Sequence, residues 1–286
     1  MNGSGDSRGS RGSSLVEMQG VRWDADGQTV VGPLDLQVRE GECLMLVGPN
    51  GAGKTSLLRL VTGLLEPSAG ELRLRGEPYG SCSRRQLARA IAYVPQIRPA
   101  RVPLEVGEVV LQGRYPHRKG WQLAPSEEDF AAVEAALERV GIEHLRRRRL
   151  DRLSGGERQA AYIAAALAQE GELLVLDEPT THLDPKHQRE IAALLLRLKA
   201  QGAPTVLAAT HDLALASQVA DRVLALRRGA ILADGEPREL MQPEMLRQLF
   251  DASFELLREG ARPIPGLLFD ADAAALREGL PSKEVE

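Results

Sequence analysis

Apolar residues follow two alternating rhythms along this chain. The run "ECLMLV" (42–47) is short, apolar and unbroken, which predicts a strand buried on both faces. Beyond a glycine cluster, Leu57, Leu58, Val61 and Leu64 recur at helical spacing, so the segment reads as strand, glycine loop, helix. Residues 67–95 read as mixed strand and turn, and from about 84 to 168 the pattern becomes helical. Within that block Ser126 and Asp129 form a capping box, and Phe130, Val133, Leu137 and Val140 mark the apolar face of the helix that follows. From 172 strand and helix alternate: "ELLVLD" as a buried strand, Ile191, Leu194, Leu195 and Leu198 as an amphipathic helix, then the strands "PTVLAAT" and "RVLALRRG". Such alternation predicts an α/β fold with a mostly parallel sheet under helices, and the helical block reads as an inserted subdomain.

Folded material is expected from Leu15 to about 250. The first fourteen residues, "MNGSGDSRGSRGSS", have no apolar content to bury and are expected to be a disordered tail; they also lack the apolar core of a signal peptide. Residues 251–286, with Pro263 and Pro265, form a C-terminal extension of little pattern. At 286 residues and 43% hydrophobic the chain can build a sizeable core. Its 40 acids against 36 bases leave a net charge of −4, opposite to the basic surplus of a general nucleic-acid binder, and no nucleic-acid partner is expected. No apolar run reaches the roughly 18 residues of a membrane span. Cys43 and Cys82 are far apart and outside metal spacing; Cys43 falls inside the first apolar run, and a buried reduced thiol there suits the cytosol.

Glycines and a lone cation between two apolar runs need a chemical reason, in a chain with only five lysines. Gly48, Pro49, Asn50, Gly51, Ala52, Gly53, Lys54 and Thr55 match G-x-x-x-x-G-K-[ST] in the strand-to-helix context that phosphate binding demands. Glycines let backbone N–H groups close on phosphate oxygens, and the helix start adds a partial positive charge of about half a unit. Lys54 is expected on the β- and γ-phosphates and the Thr55 hydroxyl on Mg²⁺, with Ser56 following it. The competing reading is an ordinary glycine-rich turn. A metal-holding carboxylate is supplied by Asp177 at the end of the "LLVLD" strand, and Glu178 is next, placed to polarise a water against the γ-phosphate. Alone, that pair reads equally as a helix cap.

The stretch Leu153-Ser154-Gly155-Gly156-Glu157-Arg158-Gln159 resembles the signature sequence of ABC-type ATPases, and other motifs of that family stand in order around it. Tyr93-Val94-Pro95-Gln96 is similar to the Q-loop, which implies that Gln96 reaches Mg²⁺ and the attacking water. Thr181-His182-Leu183-Asp184 is similar to the D-loop, and Thr210-His211-Asp212 to the switch segment, which implies that His211 contacts the γ-phosphate. Trp23 holds the place of the adenine-stacking aromatic, where the family usually has Tyr; core packing is its competing role. The resemblance spans about residues 15–250. It implies a RecA-like P-loop NTPase core with an antiparallel β-subdomain and a helical subdomain, ATP and Mg²⁺ as cofactors, and a head-to-tail homodimer. In that dimer Ser154 and Gly156 of one copy face the nucleotide of the other.

Further along, Gly113-Arg114-Tyr115-Pro116-His117 is similar to ATPases that serve iron-siderophore, haem or cobalamin permeases, in the segment where such permeases dock; an ordinary turn is the alternative. The basic run Arg146 to Arg149 reads as a solvated face, with a contact to lipid headgroups or to the permease as the alternative. The resemblance thus implies an importer ATPase with separate integral membrane permease subunits and, indirectly, a solute-binding protein, held peripherally at the cytoplasmic face of the inner membrane. The alternatives are an ABC ATPase of another transport system or a non-transport member. A small-molecule kinase would have no use for the stretch at 153–159.

Overall fold

The computed structural model describes residues 13–96, 103–118, 124–202, 204–258 and 262–267. Residues 1–12 of the expected tail lie outside these, and the first strand begins at Ser14, one residue before Leu15.

The first strands, β1 (Ser14–Ala25) and β2 (Gln28–Arg39), pair antiparallel across Asp26 and Gly27, both at positive φ, as a two-residue hairpin turn requires. The chain then enters the main sheet at β3 (Cys43–Val47) and crosses the glycine loop into α1 (Lys54–Val61). Helix α1 stops before Leu64, which is exposed; Gly63 at φ +69 turns the chain away. Returning, β4 (Ala69–Leu74) and β5 (Glu77–Pro78) complete an antiparallel sheet of order β2-β1-β4-β5.

Helix α2 (Arg84–Ala90), capped by a reciprocal Ser83–Gln86 box, leads into β6 (Ile91–Val94), the edge strand of the main sheet. The span 84–168 therefore contains one strand among its helices. Four consecutive apolar residues are too few to separate strand from helix by period, and the parallel partners of β6 lie 82 residues further along the chain. Then follow α3 (Val106–Gln112), α4 (Glu127–Val140) and α5 (Gly155–Ala168), packed on one another. In α4 the Ser126–Asp129 capping box is present, while Phe130 is exposed. The buried stripe runs through Asp129, Val133, Ala136 and Val140, so Phe130 stands about 100° off it.

The remaining elements alternate: β7 (Leu173–Asp177), α6 (Pro185–Ala200), β8 (Thr205–Thr210), α7 (Leu213–Val219), and the antiparallel pair β9 (Arg222–Arg227) and β10 (Ala230–Gly235). The main sheet has order β10-β9-β3-β8-β7-β6, with every neighbouring pair except β9–β10 parallel. Both faces are covered, which explains the unbroken apolar runs. Along β3, Leu44 and Leu46 join the core shared with α1 and the antiparallel sheet, while Cys43, Met45 and Val47 join the core shared with α4, α5 and α6. Short helices α8 (Pro237–Leu240) and α9 (Pro243–Phe250) precede a hairpin of β11 (Phe254–Arg258) and β12 (Ile264–Leu267), which the sequence pattern does not announce. Phe250 and Phe254 meet with ring centroids 5.8 Å apart, and the Arg262 guanidinium donates to Ser217 O (2.9 Å) and to Ala220 O, seating the hairpin on the end of α7.

Candidate functional site

The glycine loop lies where a buried strand must become a helix. Gly53 caps α1 from the left-handed region (φ +98), and a Cβ there would come 3.0 Å from Val30 O and 3.1 Å from Val31 Cγ2, so β2 closes against the loop. Trp23 pairs with Val31 across the β1–β2 ladder and packs, half-buried, against the core on that side. Ala52 is buried, its N–H donating to Pro49 O and its carbonyl accepting from Gly229 N–H. Helix α1 starts with no side-chain cap and no acid in its first turn, so its N-terminal positive field is left for a ligand. Lys54 is only 7% exposed, and its Nζ donates to Gly48 O (2.8 Å) and Pro49 O (3.2 Å). A buried ammonium at an uncapped helix start fits a polyphosphate. Ser56 is half-buried in the same first turn.

The two acids at the end of β7 diverge in environment. Asp177, 2% exposed, accepts from Thr55 Oγ1 (3.2 Å) at one oxygen and from the Tyr93 hydroxyl (3.3 Å) at the other. Burial pushes its carboxyl above the usual range, and the hydrogen bonds from Thr55 and Tyr93 offset only part of that. Burial and the neighbouring Asp177 push the Tyr93 phenol up to about 12, so it stays a donor. Among the described residues no three His, Cys, Asp or Glu side chains stand together as a metal cage. Thr55 Oγ1 and Asp177 Oδ1 are hard oxygen donors side by side, a set that fits a Mg²⁺ ion whose other places go to phosphate oxygens and water.

Glu178 takes positive φ (+53), with its N–H on Ala209 O of β8 (2.9 Å). Its Oε2 accepts from the ring Nδ1 of His211 (2.6 Å), from Thr181 Oγ1 (3.0 Å) and from the His211 backbone N–H (3.3 Å). Its Oε1 stands 3.5 Å from Lys54 Nζ. Gly48, Pro49, Asn50, Gln96, Glu178 and His211 line one cleft of ≈ 610 Å³, and Phe250, Phe254 and Leu267 form its far wall. Gly51, beside Asn50, is exposed at the turn of the loop.

Ser154 and Gly156 line a different cleft, of ≈ 520 Å³. Ser154 caps α5: its Oγ accepts from Glu157 N–H (3.2 Å), and its own N–H donates to Glu157 Oε2 (2.8 Å). That bond from Ser154 holds the Glu157 carboxyl below its usual range. Asp184 caps α6, accepting from His187 N–H (2.9 Å). A Cβ on Gly156 would fall 2.2 Å from the His187 ring, so that glycine is required by what packs on it, while one on Gly155 would meet a Leu183 methyl at a tight 3.1 Å. Gln159 is buried one turn into α5. The structure thus gathers the glycine loop, Gln96, Asp177, Glu178 and His211, and keeps the signature stretch apart from that cleft. Three groups have no role assigned to them by the sequence: the Tyr93 hydroxyl on Asp177 and the Thr181 hydroxyl on Glu178, which stand inside the Q-loop and D-loop stretches without being singled out, and His187, which stands in no motif. His187 has a local signal of another kind, three residues beyond a capping Asp, where a helix brings side chains together.

At 113–117 the chain is a locked corner. Arg114 is 2% exposed, donating to Asp129 Oδ1 of α4 (3.1 Å), Glu170 Oε2 (2.5 Å) and Ala168 O at the end of α5 (2.7 Å). The Nε atoms of Arg85 and Arg89 both donate to Pro116 O, His117 Nε2 lies 2.7 Å from Gln169 O, and Tyr115 is left exposed.

Residues 31–181 match the family described as ABC transporter. The chain is 38% identical over 230 residues to the petrobactin import ATP-binding protein FpuC of Bacillus anthracis, covering 80% of this chain and 84% of that one. It is 40% identical over 245 residues to the hemin import ATP-binding protein HmuV of Streptomyces coelicolor, covering 86% of each. Among solved structures it is similar to a metal-chelate type ABC transporter in an inward-facing conformation, with a TM-score of 0.76 and 26% identity over 90% of this chain and 97% of that one. Relatives aligned along most of both chains and a shared fold leave one assignment: the chain belongs to the ABC transporter family and is one of its ATP-hydrolysing subunits.

Proposed function

We propose that this chain powers import of a metal chelate, of the iron-siderophore, haem or cobalamin class, through separate integral membrane permease subunits supplied by a solute-binding protein. The names of the relatives support the substrate class, and the locked corner at 113–117 with exposed Tyr115 offers a firm docking point for a permease. Among the described residues no helix is long and apolar enough to cross a membrane, which fits a peripheral subunit at the cytoplasmic face.

In this reading ATP lies along residues 48–56, with Trp23 beside its base, and Lys54 moves from the Gly48 and Pro49 carbonyls onto the terminal phosphates. Thr55, Asp177 and Gln96 would hold Mg²⁺, which would supply charge neutralisation at the phosphate oxygens. Glu178 aligns the attacking water and takes up its proton, while His211 steadies the carboxylate and the γ-phosphate from the other side. Because Ser154 and Gly156 line a separate cleft, one chain carries two half-sites that do not complete each other. A two-fold homodimer completes both, with Ser154, Gly155, Gly156 and Gln159 of one copy facing the nucleotide of the other and Asp184 beside the seam.

The observation that carries the catalytic reading is the grip on Glu178 by His211, Thr181 and Lys54 at the end of β7. Glu178→Gln is expected to bind ATP, lose turnover by at least about 100-fold, and accumulate as an ATP-bound dimer in sedimentation. Hydrolysis at the wild-type rate by that variant would remove Glu178 from the chemistry.

A further inference from the structure

We propose that His187 is a positioning residue of the ATPase: its ring decides whether the Ser154 hydroxyl offers a proton or a lone pair to a phosphate oxygen brought by a second copy. This rests on the reading above, in which Ser154 meets the partner's nucleotide.

The ring is held on three sides. Its Nδ1 lies 2.8 Å from Asp184 Oδ2, its edge lies over Gly156 so closely that no Cβ fits, and its Nε2 is 3.3 Å from Ser154 Oγ. The side chain is 19% exposed. Hydrogen bonds from the His187 backbone and ring hold the Asp184 carboxyl below its usual range, so it is an acceptor only. The hydrogen-bond network therefore assigns the Nδ1 proton to the ring in both charge states.

The consequence falls on Nε2. In the neutral ring it carries only a lone pair, and the Ser154 O–H must donate to it. Ser154 Oγ already accepts from Glu157 N–H, so it turns its remaining lone pair outward, against a phosphate oxygen. In the charged ring Nε2–H donates to Oγ. Both lone pairs of the serine are then used, and its proton is free to point outward as a donor. An arriving phosphate therefore favours the charged ring, and by linkage the closed dimer takes up a proton at His187. Closure therefore tightens as pH falls and weakens as pH rises.

Other charged groups around the ring do not supply this switch. Lys186 and Glu190 on α6 face each other (3.9 Å), Glu157 on α5 faces Arg148 (3.8 Å), and Arg197 lines the same cleft; none of them is an imidazole, the side-chain type that switches charge near neutral pH. His144, the other imidazole lining the cleft, serves as the control.

The test is ATP-driven dimerisation of the full chain carrying Glu178→Gln, which removes hydrolysis, followed by sedimentation velocity from pH 6 to 8.5. Dimer affinity of this parent is expected to fall about tenfold across that range, a size typical of site coupling. Adding His187→Gln, whose amide nitrogen replaces Nε2 as a permanent donor, or His187→Phe, which keeps a ring over Gly156, is expected to leave a change under about twofold; adding His144→Gln should keep the parent's slope. The inference is overturned by an unchanged slope in the His187 variants, by equal weakening at every pH, by a flat parent, or by a slope that disappears with His144. Ser154→Arg in the same background tests the underlying reading separately: if that variant dimerises like the parent, the shared site fails first. If it stays monomeric while His187→Gln keeps the slope, only the role of His187 fails.

Discussion

Replacing Arg114 with Met removes the guanidinium that pairs with the buried Asp129 carboxylate, far from the nucleotide cleft. Arg114 is 2% exposed and the Asp129 side chain 5%, so neither charge reaches water when its partner is deleted. Asp129 would keep the Ser126 N–H (2.9 Å) and lose the Arg114 Nε (3.1 Å), and Ala168 O would lose a 2.7 Å donor. Breaking one side of such a pair costs about 3–5 kcal/mol, a large share of the roughly 5–15 kcal/mol by which folded domains are stable. The contact with Glu170 adds little, since that side chain is mostly exposed. Although burial pushes the Asp129 carboxyl up, hydrogen bonds from Ser126 and Arg114 outweigh it and the net shift is downward. A depressed folded value stabilises above the unfolded pKa of about 3.9 and is lost as pH falls through the folded value. The deficit of Arg114→Met is therefore full at pH 7 and shrinks below about pH 4. Urea unfolding followed by circular dichroism measures it, and adding Asp129→Asn should recover about half, by removing the stranded charge. A single mutant within about 1 kcal/mol of wild type at pH 7 would refute the reasoning.

Lys54→Ala should weaken ATP binding at least about tenfold by calorimetry, because the buried ammonium is the loop's one full positive charge; unchanged affinity would detach the loop from the phosphates. The thiols should separate cleanly. Burial pushes Cys43 to about 12, which leaves about one thiolate in ten thousand at pH 8, so a thiol reagent should label Cys82 promptly and Cys43 only on unfolding; two fast-reacting thiols per chain would contradict the packing.

What the sequence made legible was local. The glycine loop, the apolar run ending at Asp177 and the capping boxes are written in consecutive residues, and the parallel sheet follows from their alternation. What stayed hidden depends on distant partners. Strand β6 exists because β7 lies alongside it, not because four residues insist on it. An arginine in a turn reads as solvated, yet Arg114 is enclosed because α4 and the end of α5 each supply an acceptor. Phe130 loses its expected place in the core to Asp129, which no apolar pattern foresees. The partners of His187 and of the Tyr93 and Thr181 hydroxyls are set by folding: motif position or a capping Asp marks their neighbourhood, but not that they meet Ser154, Asp177 and Glu178.

The chain's last described segment is not an idle end. Phe250, Phe254 and Leu267 rim the same hollow that Glu178 and His211 enter, and Arg262 buckles that rim to the helix opening just after His211. A truncation after Phe250 would spare every signature of the enzyme while taking down one side of its doorway to water. In the proposed reading, tags or fusions placed there would act on the cleft that Glu178 and His211 line while leaving residues 48–55 and 153–159 in place.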